Sequence, residues 1–186
     1  MRIIGGEARG RKLQAPEGRG TRPLLDQIKQ RAFDILGPMD DGLLVWDVFA
    51  GAGSFGLEAL SRGAERAVFV DLDRSACAVV AKNLANLGWE GRGRVVQGDA
   101  RRVADLTRED EKSPGIIFAD PPFPGRGRPR GDRGPARGPA RPATRGGGRL
   151  VFRVPSDLDW AGAEPHFWAG ADRRRHGVNL LVVAAR

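Results

Sequence analysis

The sequence predicts an α/β fold built on a doubly wound, mainly parallel sheet. From residue 43 onward, strand-length runs alternate with helix-length stretches. The runs are apolar nearly throughout, as parallel strands covered on both faces are, and run after run closes on an acidic residue. At 186 residues the chain is long enough for one compact domain with a real core.

The text RIIGGEARGRKLQAP opens the chain, with Ile3, Ile4 and Leu13 set among glycines and basic residues. It predicts a short twisted hairpin-like arm that buries little by itself. After Thr21-Arg22-Pro23, apolar Leu25, Ile28, Ala32, Phe33, Ile35 and Leu36 fall at helical spacing until Gly37-Pro38, so a helix is expected over 25–36. Strands are expected over 43–48, 67–71, 94–99 and 115–120. Helices are expected over 56–63 and 75–88, with a short helical piece near 100–108. Right-handed crossovers join such strands, and ligands bind beyond their carboxyl ends at the topological switch point.

Residues 124–149 break this rhythm. Gly, Arg, Pro and Ala make up 24 of these 26 residues, and no helix or strand face can be built from them. The segment reads as an insert, a disordered stretch or the product of a locally shifted reading frame. Apolar text resumes with a strand expected over 150–154 and a last one over 178–183; Arg173-Arg174-Arg175 precedes the latter.

The formal charge of +8 is unevenly placed: +5 over residues 1–31, −5 over 32–123, +7 over 124–149 and +1 over 150–186. Localised arginine is the footprint of a polyanionic partner, although 27 Arg against 4 Lys and no Tyr also reflects GC-rich coding. There is no apolar run of membrane-spanning length and no signal-peptide pattern, so a soluble cytoplasmic protein is expected. Cys77, the single cysteine, reads as a buried inert thiol. No metal is expected.

The strongest local signal is VWDVFAGAGSFGLEALSRGA. Gly51, Gly53 and Gly56 satisfy G-x-G-x-x-G between a strand and a helix, and Asp71 ends the next strand, which raises a dinucleotide site. A carboxylate beside that loop would repel a pyrophosphate, and Asp47 stands four residues before Gly51. It suits a ligand with a cationic amino group and a sulfonium, such as S-adenosylmethionine (SAM). On this reading Asp47, Phe49 and the glycine loop hold the methionyl end, Asp71 accepts the ribose hydroxyls, and Asp99, followed by Ala100, receives the adenine amine. Asp99 alone would more often cap a helix. Asp120-Pro121-Pro122-Phe123 then forms a stiff loop. An exocyclic base amine is a poor nucleophile because its lone pair is delocalised. Asp120 and the Pro121 carbonyl can accept its N–H groups while Phe123 stacks on an unstacked base.

The ordered set RIIGG, GRKLQAP, TRP, FDIL, DVFAGAGSFGLEALSRGA, FVD, NL, GDA and DPPF resembles the bacterial 16S rRNA guanine-N2 methyltransferases, the RsmD-like family, over residues 1–123. The resemblance implies a Rossmann-like class I SAM-dependent methyltransferase sheet spanning 38–186. It also implies an RNA-binding arm and helix over 1–37, where Arg9, Arg11, Lys12, Thr21 and Arg22 seat the RNA. The implied substrate is a guanine in 16S rRNA of a 30S particle or assembly intermediate; separately, a monomer is expected. The chain departs from the family pattern at Arg153, where an acidic residue is usual, and at Leu24-Leu25 after TRP. The rival readings are an adenine-N6 or protein-glutamine methyltransferase, an RNA- or ribosome-binding homologue without turnover, and last a dinucleotide oxidoreductase.

Overall fold

A computed structural model describes residues 1–15, 23–111, 113–121, 148–155, 172–176 and 179–185. The expected alternation is present, with boundaries shifted by one to two residues at most ends: α1 (Pro23–Leu36), β1 (Leu44–Val48), α2 (Ser54–Ser61), β2 (Arg66–Asp71), α3 (Arg74–Leu87), β3 (Gly93–Gln97), α4 (Val103–Leu106) and β4 (Ile116–Ala119). Then come β5 (Arg149–Pro155), β6 (Asp172–His176) and β7 (Asn179–Ala185). The seven strands form one sheet in the order β3-β2-β1-β4-β5-β7-β6. Strands β1 to β5 run parallel, while β7 runs antiparallel to both β5 and β6. The order reverses between β1 and β4, so the switch point lies there.

Side-chain alternation sends the strands' apolar residues to two cores. Val45, Phe69, Phe118 and Val151 pack with α1, α2 and α3; Trp46, Val48, Val70, Ile117 and Phe152 pack on the opposite face with Val103 of α4. Helix α3 is closed at both ends by local chemistry. The Asp73 carboxylate accepts the Ser75 N–H at 2.8 Å, and Gly88 takes the left-handed φ of +72° that ends the helix.

The opening hairpin forms, with Arg2 bridging Lys12, but it is not a free-standing arm. Ile3, Ala8 and Leu13 belong to the main core. The glycine pair explains how the hairpin comes so close. A Cβ on Gly6, whose φ is +73°, would lie 1.8 Å from the Ser61 carbonyl oxygen, and one on Gly5 would meet the Arg62 guanidinium at 2.5 Å. Ser61 Oγ donates to the Gly5 carbonyl and accepts the Ala8 N–H, at 2.6 and 3.0 Å. Behind this contact Glu58, fully buried, accepts the Ile4 N–H and pairs with Lys29 at 3.2 Å and Arg62 at 2.8 Å. Burial pushes the Lys29 ammonium below its ordinary pKa, and Glu58 opposes that push. Hairpin, α1 and α2 are thus locked together through one buried carboxylate.

Two further expectations change. Strand β6 reads in the sequence as a charge run, DRRRH, without the alternation that would mark a strand. The Arg/Gly/Pro segment lies outside the described residues over 124–147, and its last residue, Arg149, opens β5. Cys77 is half-buried; burial is the main cause raising its thiol pKa, and Sγ lies 3.5 Å from the Asp71 carbonyl oxygen.

Candidate active site

The carboxyl ends of β1, β2, β3 and β4 bring the expected acids to one rim. Leaving β1, the chain passes through Phe49 at φ +63°, a left-handed backbone rarely held by a side-chain-bearing residue and most often found at functional turns. Gly51 and Gly53, at +57° and +76°, complete the turn into α2. The loop is tied to β2 twice: Ala50 N–H donates to the Val70 carbonyl at 3.1 Å, and Gly51 N–H donates to Asp71 Oδ2 at 2.8 Å. Asp71 Oδ1 also accepts the Asp73 N–H at 2.9 Å. Each carboxylate oxygen has two lone pairs, so these bonds leave acceptor capacity. Leu72, 71% exposed, extends from the rim beside it.

Asp47 takes a different place from the one expected. Only 2% exposed, it accepts the Gly56 N–H through Oδ2 at 2.8 Å. Gly56 is the third residue of α2, and Gly53 before the helix makes no side-chain cap. Asp47 therefore does from a neighbouring strand what a capping side chain normally does. Burial pushes its carboxyl up to about 8, with the charges of Asp120 and Asp71 adding to the push and the Gly56 N–H opposing it. At neutral pH it is mostly protonated and braces the loop from beneath.

The glycines also serve the packing of the interior. A Cβ on Gly56 would lie 2.4 Å from the Phe69 ring and 3.1 Å from Asp47 Cβ, and one on Gly53 would crowd Phe69 and Val80 at 3.2 Å. Their missing side chains make room for the interior. Ala100 is buried in the second core, so its main chain is the part that can meet a ligand. Asp99, half-buried, precedes the turn Ala100–Arg102, and its carbonyl accepts the Arg102 N–H at 2.8 Å.

Beyond β4, Asp120 is half-buried and Pro121 buried; Pro122 and Phe123 lie outside the described residues, as do Thr21 and Arg22. Arg153 Nε donates to Asp120 Oδ1 at 2.5 Å. Arg153, in the sequence a departure from the family pattern, is thus the partner of Asp120. The available signal was its place near the end of the strand expected over 150–154, as Asp120 ends the one expected over 115–120. On the hairpin Arg9, Arg11 and Lys12 are exposed, and Arg11 Nη2 donates to the Asn86 carbonyl at 2.5 Å.

The rim fits a nucleoside-bearing ligand. Asp71 offers acceptors for paired hydroxyls, Leu72 an apolar surface for a flat ring, and the strained turn at Phe49 main-chain polar groups. Sheet order, reversed β7, glycine loop and acidic strand ends together define a Rossmann-like methyltransferase fold. The solved structure of yhhF from Escherichia coli, a candidate methyltransferase, superposes with a TM-score of 0.74 at 30% identity, over 100% of this chain and 97% of its own.

Residues 1–128 match the family model described as Conserved hypothetical protein 95, and the chain belongs to that family, the RsmD-like group its motifs resemble. Ribosomal RNA small subunit methyltransferase D of Escherichia coli is 42% identical over 123 residues, which is 66% of this chain and 60% of that protein. YlbH of Bacillus subtilis, a candidate rRNA methyltransferase, is 42% identical over 123 residues, 66% of this chain and 67% of its own. The chain thus spans 60 to 67% of the length of these two relatives.

Proposed function

We propose that this protein transfers a methyl group from SAM to the exocyclic N2 of a guanine in 16S rRNA, working as a monomer on a 30S particle or assembly intermediate. One observation supports this above the others. The family match over 1–128 encloses the rim from Asp47 to Pro121, and a relative 42% identical is named as a methyltransferase of small-subunit ribosomal RNA. Such a substrate places the reaction in the cytoplasm.

When bound, SAM would supply a methyl group on a sulfonium: the sulfur–methyl bond would break as the C–N bond forms, the sulfur leaving as a thioether and the amine giving up one proton to solvent. The protein's own part is placement and charge. Asp71 accepts the ribose hydroxyls, Asp99 and the main chain of Ala100 meet the adenine, and the loop of Phe49, Gly51, Gly53 and Gly56, braced by Asp47, lies along the methionyl end. Asp120 and the Pro121 carbonyl accept the N–H groups of the base, turning the nitrogen lone pair out of conjugation. Pro122 stiffens the loop and Phe123 stacks on the base. Residues 1–37 form the RNA-facing part, with Arg9, Arg11, Lys12, Thr21 and Arg22 on phosphate, and residues 38–186 form the transferase domain with 124–149 as an insert.

The test is to incubate the purified protein with labelled SAM and undermethylated 30S particles and to identify the product nucleotide by mass spectrometry. N2-methylguanine is expected. Label in N6-methyladenine or in a protein glutamine would reassign the substrate, and absence of label with particle binding retained would make the protein a binding homologue without turnover.

A further inference from the structure

Strands β4 and β5 run parallel with Ala119 opposite Phe152, so the next residues, Asp120 just past the end of β4 and Arg153 still within β5, lie side by side. The two side chains are 21% and 17% exposed. Both stand on the α2 face of the sheet above Phe55, Phe118 and Val151, with the rings of Phe55 and Phe118 stacked at 5.3 Å between centroids. An apolar floor of this kind strengthens the charge interaction above it.

The surroundings make the partner matter. From β1, Asp47 lies within electrostatic reach of Asp120, and Asp47 in turn feels Asp71 at the end of β2 and Lys29 of α1. From α2, the residue in this pocket is the uncharged Phe55. With Asp47 mostly protonated at neutral pH, what favours proton uptake by Asp120 is its own half-burial over the apolar floor, unless a cation stands beside it. A protonated Asp120 would donate one hydrogen and lose acceptor capacity toward an amine. Arginine stays charged at every accessible pH, and its planar fork fixes the group it holds.

We propose that Arg153 is a positioning residue for methyl transfer, which keeps Asp120 ionised and in one orientation and so ready to accept the N–H of the base. The inference rests on the reading of Asp120 as acceptor for the amine. It predicts that charge and geometry at position 153 are separable.

The test uses full-length protein and two measurements. One is the titration of the Asp120 carboxyl followed by NMR of carboxyl-labelled aspartate, without SAM or RNA; the other is the pH profile of methylation on 30S particles. Arg153→Met should move the Asp120 midpoint up by about one pH unit or more. The acidic limb of kcat should move with it, and kcat near neutrality should fall roughly tenfold or more with KM for the particle unchanged. Arg153→Lys should return the midpoint towards that of the unmutated protein while kcat stays depressed, because an ammonium restores charge without the planar fork. Arg153→Gln, polar and of similar length, repeats the charge test should the methionine variant fail to fold. An Asp120 midpoint and acidic limb unmoved in the uncharged variants would overturn the proposal. Failure of the unmutated protein to methylate would instead overturn the proposed reaction, while the NMR titration would still decide whether Arg153 sets the charge of Asp120.

Discussion

The ends of β1 and β4 are neighbours in one sheet, and each carries an aspartate near the same rim, yet the two aspartates are held in opposite ways. Asp47 is sealed in, satisfied by a main-chain N–H and pushed up to about 8, so that it works as a neutral group. Asp120 is half-buried and bonded to a guanidinium. The difference shows that position at a strand end does not assign a role to an acid. Its partner does: an amide makes Asp47 a brace for the glycine loop, and on the proposed mechanism a fixed positive charge keeps Asp120 available as an acceptor.

Substituting each acid by its amide sharpens the contrast. Asp120→Asn keeps size and one acceptor but removes the charge, and should lower kcat about 100- to 1000-fold, the scale for deleting one preorganised polar group, with SAM affinity unchanged by calorimetry. Methylation at the unmutated rate would break the comparison at its more important end.

At Asp47 the same change should be tolerated and should act on stability. Its folded-state pKa is raised from 3.8 to about 8, so the native state holds the proton more tightly than the unfolded chain. The stabilisation linked to this proton is full below about pH 4 and is lost as pH climbs to about 8. Asp47→Asn removes that loss. Its advantage in urea denaturation should grow between pH 5 and pH 8.5 and reach on the order of a few kcal/mol. Parallel stability curves for the two proteins would show that Asp47 is already ionised in the fold.

Asp71 lies between these cases, half-buried with both oxygens on amides. Asp71→Ala should weaken SAM binding roughly 10- to 100-fold by calorimetry, the cost of losing hydrogen bonds to a charged group, while circular dichroism stays unchanged. Unaltered affinity would remove it from the cofactor site.

Much of this arrangement was legible in the text, because strand-end acids and a glycine loop mark themselves by position. Asp71, Asp99 and Asp120 could be placed at the rim from the alternation alone. What stayed hidden depends on partners distant in sequence. Nothing local says that Asp47 faces the Gly56 amide, that Gly5 and Gly6 are small because Ser61 and Arg62 press on them, or that Arg153 meets Asp120. Strand β6 escaped for another reason: Asp172–His176 pairs with β7 through its main chain, and that pairing leaves no apolar alternation in the sequence.

The docked hairpin carries a consequence for synthesis of the chain. Its anchoring groups on α2 and α3 are encoded 53 to 75 positions after the residues they hold. Residues 1–13 emerge from the ribosome early, yet Ile3 and Leu13 have nowhere to go until both helices exist, and contacts of such long span close late in folding. The basic side chains Arg9, Arg11 and Lys12 therefore reach their final array only after the glycine loop has its helix and α3 has its caps. Order of assembly thus leaves the hairpin's basic face until last: it is complete only once α2 and α3 are in place.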